Sequence, residues 1–368
     1  MDDESQALEA YANILNQIAE DSYNASLHAQ HIRLAQSLQG MEAEAQSALE
    51  MMPEFLAVGD DVWLPLIQAK ESSVNLQSPD GVDELLTLYD RAEADYLSIP
   101  ILQKHLQFLV DNHARYLGEE LKPADLEDVF STEWTRGAIA NVVDKGLGHL
   151  TQSHLLWDVQ RDWEMQVLEG ASGPEKTAFV EHVKQLHLDR LRQPHSNSDE
   201  TFQSYSSFTT NYQPPQDYEQ LMVAASKIRT QVVKAYNRRE RLESALAQSN
   251  YSLESYADYI RYERQAKHPD LSVTQATYER AIAEAAKRRF NGVEGSEEFL
   301  RAFWIGYCDA LRILGAEKNV QLSTFRRAVR SVPESGEVCA RYIRLSVRIN
   351  HTHETEPNGC KKEHLSYP

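Results

Sequence analysis

The residue types able to do chemistry are scattered along this chain rather than gathered. Near the C-terminus, His351, His353, Cys360 and His364 offer metal-ligand atoms. No paired Cys-x-x-Cys accompanies them and no regular element orients them, so no metal site is assigned. Single histidines such as His105 and His187 fall on helix faces, where a structural role is expected. The chain has no phosphate-cradling glycine loop, no His-Glu-x-x-His, no Gly-x-Ser-x-Gly and no dinucleotide fingerprint. The expectation is a protein that binds rather than catalyses, with no catalytic residue and no cofactor. Two basic runs remain: Arg238, Arg239 and Arg241, then Lys287, Arg288 and Arg289. They suit a patch for RNA or an import signal. The competing reading is a solvated helix end, where cations are favoured anyway.

Charge narrows the partner class. Residues 1–130 hold 25 Asp/Glu against 6 Lys/Arg, the whole of the formal net charge of −19, while the remainder balances at 31 of each sign. Such a surface repels phosphate, so direct nucleic-acid binding by the first third is not expected, and a basic or neutral partner is. An ordinary solvated face fits the same numbers. No run approaches the roughly 20 apolar residues of a membrane span. The opening Met1-Asp-Asp-Glu-Ser resembles neither a secretion signal nor a transit peptide, which predicts a cytoplasmic or nuclear address. Three cysteines (Cys308, Cys339, Cys360) are too few to staple 368 residues. Cys308 lies in an aromatic stripe and is expected to pack as a small apolar residue.

The elements that carry these residues are read from large side chains at helical spacing. Tyr256, Tyr259 and Tyr262 precede Glu263, and Tyr278-Glu279-Arg280-Ala281 follows. Phe303-Trp304 and Tyr307 precede a break at Gly315, then Phe325-Arg326-Arg327-Ala328. Tyr259 and Tyr307 are 48 positions apart, Arg280 and Arg327 47 apart. Earlier copies appear at Trp63, at Tyr89-Asp90-Arg91-Ala92, and at Trp157-x-x-Gln160-x-x-Trp163-Glu164. Phe202-x-x-Tyr205-x-x-Phe208 repeats the formula with Thr209 in place of the acid. Two helix-turn-helix units with matching marks at one period indicate a helical repeat array. No stretch alternates with period two, so strands are not expected. The predicted fold is an all-α solenoid of antiparallel helix pairs. Its rings form the core rather than a ligand box, and the Glu of each first helix is expected to pair with the Arg of its own second helix.

Trp/Tyr-x-x-Tyr-x-x-aromatic-Glu followed by Tyr-Glu-Arg-Ala resembles the half-a-TPR (HAT) repeat of RNA-processing proteins. The order of the pieces, from Tyr23 to Glu71 and again from Leu242 through Tyr278, resembles the splicing factors that recycle the U4/U6 snRNP. The resemblance covers residues 22–348. It implies a non-enzymatic nuclear scaffold for splicing-complex proteins: U4/U6 snRNP components and, in some relatives, a deubiquitinating enzyme. It also implies dimerisation through the later half of the array. The RNA-recognition motifs of the family have no counterpart here, so any RNA contact is expected to be indirect. A HAT scaffold of mRNA 3′-end cleavage, a scaffold of another spliceosomal complex, and a direct RNA-binding repeat protein are the alternatives.

The boundaries follow. Residues 1–21 read as an acidic lead-in, 22–192 as the N-terminal half, 193–199 as a short linker, 200–348 as a C-terminal half stopping mid-repeat, and 349–368 as a disordered tail. Within them, Pro53 is expected to stop a helix, one helix to begin near Leu126, and Ser198 or Asp199 to cap another. Asp217 to Leu246 is expected to form two helices bent near Asn237.

Overall fold

Five of the helices begin where the sequence supplies an oxygen for the unpaired amides of a first turn. The Asn24 side chain accepts from the amides of Ser26 and Leu27, Ser98 from Ile101, Ser131 from Trp134, Ser252 from Ser255 and Asp270 from Val273. The computed structural model describes residues 2–118, 120–121 and 128–354, and these hold sixteen α-helices and no strand.

Helix α1 (Asp2–Glu20) leads in and packs on α2. Seven antiparallel pairs follow: α2 (Ala25–Ser37) with α3 (Glu42–Phe55), α4 (Asp60–Ser73) with α5 (Pro79–Asp95), and α6 (Ile99–Leu117) with α7 (Thr132–Gly146). Next come α8 (His154–Gly170) with α9 (Gly173–Arg190), and α10 (Ser198–Tyr212) with α11 (Tyr218–Gln248). The last two are α12 (Leu253–Gln265) with α13 (Leu271–Phe290) and α14 (Ser296–Ile313) with α15 (Lys318–Ser331), after which α16 (Gly336–Glu354) packs on α14 and α15. First helices also touch across repeats, as α4 with α6, α6 with α8 and α12 with α14, which makes the stack a solenoid.

Several local expectations are corrected. Pro53 lies inside the last turn of α3, where it forfeits the amide bond to the Leu49 carbonyl, and the helix closes two residues later at Phe55. The second helix of the third pair begins at Thr132, with Leu126 outside the described residues. Phe130, fully buried with φ 66°, turns the chain into the Ser131 cap. Neither Ser198 nor Asp199 caps α10. Asn197 holds the cap position, while Ser198 and Asp199 turn to Arg229 of α11. Tyr218–Gln248 is a single helix of 31 residues. It contains no Gly or Pro, and one exposed Asn costs a helix well under about 1 kcal/mol, too little to break it. The passage 193–199 is pinned: the Ser196 amide donates to the Leu150 carbonyl, and His195, 1% exposed, bonds Thr201 Oγ1 at 2.9 Å.

Three apolar cores lie along the stack: one from α2 to α8, a small one from α8 to α11, and one from α11 to α16. The last also contains Ala57 and Tyr96 from the first repeats. The array therefore bends back until α2 meets α13 and α5 meets α15. Cys308, 1% exposed, packs in this last core, and burial pushes its thiol up to about 12.

Candidate binding surface

The motif residues build the stack. Trp63, Tyr89, Trp157, Trp163, Tyr256, Tyr259, Tyr278, Trp304, Tyr307 and Phe325 are all buried. Tyr89 stacks on His105 at 4.1 Å and Tyr278 on Tyr307 at 5.3 Å, each ring reaching the first helix of the following repeat. The arginines two positions on point the other way, because two residues turn an α-helix by about 200°. Arg91 meets Glu54 of α3 at 2.8 Å, Arg280 meets Glu243 of α11 at 2.7 Å, and Arg327 meets Glu279 of α13 at 2.6 Å. Glu263 takes both ends of the Arg239 fork, and Glu164 takes Arg136 together with His182. The arginine–glutamate pairs thus join successive repeats, which corrects the expectation that they close each pair internally; of these partners only His182 meets Glu164 within its own pair. Burial alone would push the Glu164 carboxyl up. The His182 and Arg136 partners outweigh it and hold that carboxyl below its ordinary range.

The basic runs do not form one patch. Arg239 is bound to Glu263, Arg288 to Glu284, and Arg289 to Glu297 and the Ser331 carbonyl. Arg288 also donates to the carbonyls of Asn250 and Tyr251, two consecutive left-handed residues that form the α11–α12 turn. Only Arg238, Arg241 and Lys287 of the six are exposed. Of the tail ligands, His351 and His353 lie on the last turns of α16, while Cys360 and His364 fall outside the described residues, as does 355–368 of the predicted tail. Among the described residues no cluster of His, Cys, Asp and Glu could hold a metal ion.

What sequence reasoning missed is the closure. Arg330 donates to Asp95 Oδ1 at 2.8 Å and to the Pro53 carbonyl at 2.5 Å, and its own carbonyl accepts the Ala57 amide. Tyr96 and Ser331 share a hydroxyl hydrogen bond at 2.7 Å, and Arg327 reaches the Ala94 carbonyl at 2.9 Å. Arg33 on α2 donates to the Phe290 carbonyl at 2.8 Å. A buried acid at the end of α5, with an aromatic after it, was the available signal, but nothing periodic marks its partner.

Closure leaves two open clefts along the seam. The larger, about 780 Å³, lies between α5, α6, the α7–α8 and α9–α10 turns, α13 and Arg327. The smaller, about 290 Å³, lies between the starts of α4 and α6 and the end of α13. Tyr96, Leu97, Ser98 and His149 line both and form the wall between them.

With this geometry in view, two similarities stand out. Over 342 residues, 92% of this chain, it is 24% identical to the mouse (Mus musculus) protein named spliceosome associated factor 3, U4/U6 recycling protein. The human (Homo sapiens) protein of the same name is 24% identical over 344 residues, again 92% of this chain. The chain is similar to spliceosome-associated proteins. It spans less than a third of their length, 31% and 30% respectively. No family model matches it. The matched span runs through nearly all of the repeat pairs, so the likeness is to the solenoid as a whole rather than to one hairpin. No helix among the described residues is long and apolar enough to cross a membrane.

Proposed function

We propose that this chain is a non-enzymatic scaffold of HAT repeats that acts in pre-mRNA splicing, in the nucleus, by holding proteins of a U4/U6 snRNP assembly or recycling complex. The observation that carries this reading is the similarity along 92% of the chain to proteins named for U4/U6 recycling. The geometry supports it. Aromatic rings and arginines are spent on stacking repeats, which leaves helix ends and the inner seam as the surfaces for partners. A role in positioning, without bond chemistry, fits a chain whose motif arginines are occupied in inter-repeat pairs. Protein partners are favoured over RNA because Arg239, Arg288 and Arg289, half of the two basic runs, are taken by internal acids and carbonyls.

Affinity purification of the full chain from nuclear extract, with sequencing of co-purified RNA and mass spectrometry of co-purified protein, tests it. Recovery of U4 and U6 RNA with their proteins is expected. Recovery of 3′-end cleavage factors without them would overturn the splicing assignment in favour of the other HAT scaffold.

A further inference from the structure

The two seam clefts are open and unevenly charged. Eight carboxylates line them against five cationic side chains. The cations are mostly spoken for: Lys145 bonds Glu93, Arg327 bonds Glu279, and Arg280 and Arg192 turn to acids outside the clefts, Glu243 and Asp189. Asp61, Asp144 and Asp270 form no ion pair, Asp270 accepting the Val273 amide instead, and Asp60 lies near Lys287, the remaining cation of the clefts. The unspent charge is therefore negative and distributed along both clefts.

A second observation points to a polypeptide rather than a free cation. His149, 8% exposed, stands in the wall shared by the clefts. Its Nδ1 accepts the Gln152 amide at 3.2 Å, so a neutral ring carries its proton on Nε2, and Nε2 has no protein partner. Burial, with Arg280 nearby, holds the ring's pKa well below its ordinary value and keeps it neutral. An N–H donor set between two acidic clefts is the arrangement an extended chain needs, since such a chain presents carbonyls between its side chains.

We propose that the seam binds an extended peptide segment rich in arginine or lysine from a partner protein, with its cationic side chains beside Asp144 and Asp60 and a backbone carbonyl on His149 Nε2. This deepens the scaffold reading, on which it rests, by naming the chemistry of one partner segment. RNA is disfavoured here, because the same carboxylates repel phosphate.

Fluorescence anisotropy of a labelled peptide of alternating arginine and glycine, titrated with the full chain at low and physiological salt, is the test. The peptide with glutamate in place of arginine and a single-stranded oligouridylate serve as controls. Saturable binding of the basic peptide alone is expected. The double variant Asp60→Asn/Asp144→Asn should weaken it roughly tenfold, and His149→Phe severalfold, with circular dichroism unchanged. Asp258→Asn, an exposed acid outside both clefts, should leave it intact. No binding, equal binding to the double variant, or preference for the oligouridylate would overturn the proposal. None of these outcomes touches the splicing assignment, which is read from the extract.

Discussion

Asp95 and Arg330, 235 positions apart in the chain, meet at 2.8 Å across the seam. Asp95 is 3% exposed, and its other oxygen takes the Val58 amide and the Trp63 indole N–H, each at 3.0 Å. One carboxylate thus fixes the first repeats internally and ties them to α15. Asp95→Ala strips three donors of their acceptor and should cost about 3–5 kcal/mol in urea denaturation. Arg330→Ala should cost less, because that side chain is partly exposed, but should raise the radius of gyration measured by small-angle X-ray scattering. An unchanged radius would mean that the other seam bonds, such as Arg327 to the Ala94 carbonyl and Tyr96 to Ser331, hold the closure without Arg330.

The Arg280–Glu243 pair is the most enclosed arginine link between repeats among the described residues, with side chains 4% and 6% exposed and a two-pronged hydrogen bond. Arg280→Ala should destabilise by about 3 kcal/mol, since it abandons a buried carboxylate. Arg280→Lys should recover only part of that, because an ammonium cannot match the fork. A double-mutant cycle with Glu243→Ala measures the coupling. Additive costs would show that the two act independently.

Acid should weaken the fold before its carboxylates protonate. Burial presses the His187 and His195 rings down to about 4, with Arg161 near the first and Arg190 near the second lowering them further. Both are neutral in the folded chain, while an unfolded histidine binds a proton near pH 6.5. The unfolded state therefore carries more protons between pH 6.5 and 4, and stability falls as pH falls through that window. Each titrating histidine contributes a slope of about 1.4 kcal/mol per pH unit there. His187→Gln should flatten the slope of denaturation midpoints against pH, whatever it does to stability at pH 7.

Gly306 sits inside α14, where alanine would ordinarily gain about 1 kcal/mol of helix propensity. A Cβ there would lie 2.8 Å from the Tyr278 hydroxyl and 3.2 Å from its ring. Tyr278 is 1% exposed and stacked on Tyr307, so it has little room to yield. Overpacking costs about 1–3 kcal/mol and should win, leaving Gly306→Ala less stable than the parent by thermal melting.

The all-α stack was legible because rings at helical spacing leave a mark that recurs at a fixed period. Trp63, Tyr89, Trp163, Tyr259 and Tyr307 all lie where that mark put them, inside the array. The direction of the ion pairs was not legible. Glu263 and Arg280 are close in sequence, but the turn of the helix sends Arg280 backward to Glu243. The seam was invisible for a different reason. Its bonds end on backbone carbonyls such as Ala94 and Pro53, which every residue possesses and no pattern records. The clefts inherit that invisibility, since only the bend of the whole stack brings Asp60, Asp144 and His149 to one seam.

Open repeat arrays unzip from their ends, because a terminal hairpin leans on a single neighbour. Here Ala57 and Tyr96, from the opening hairpins, are packed in the closing core. Melting of α15 would leave a tyrosine bare more than two hundred positions upstream, so the opening and closing hairpins are bound to exchange their amide protons in step. The chain behaves less like a zip than like a belt fastened at its buckle.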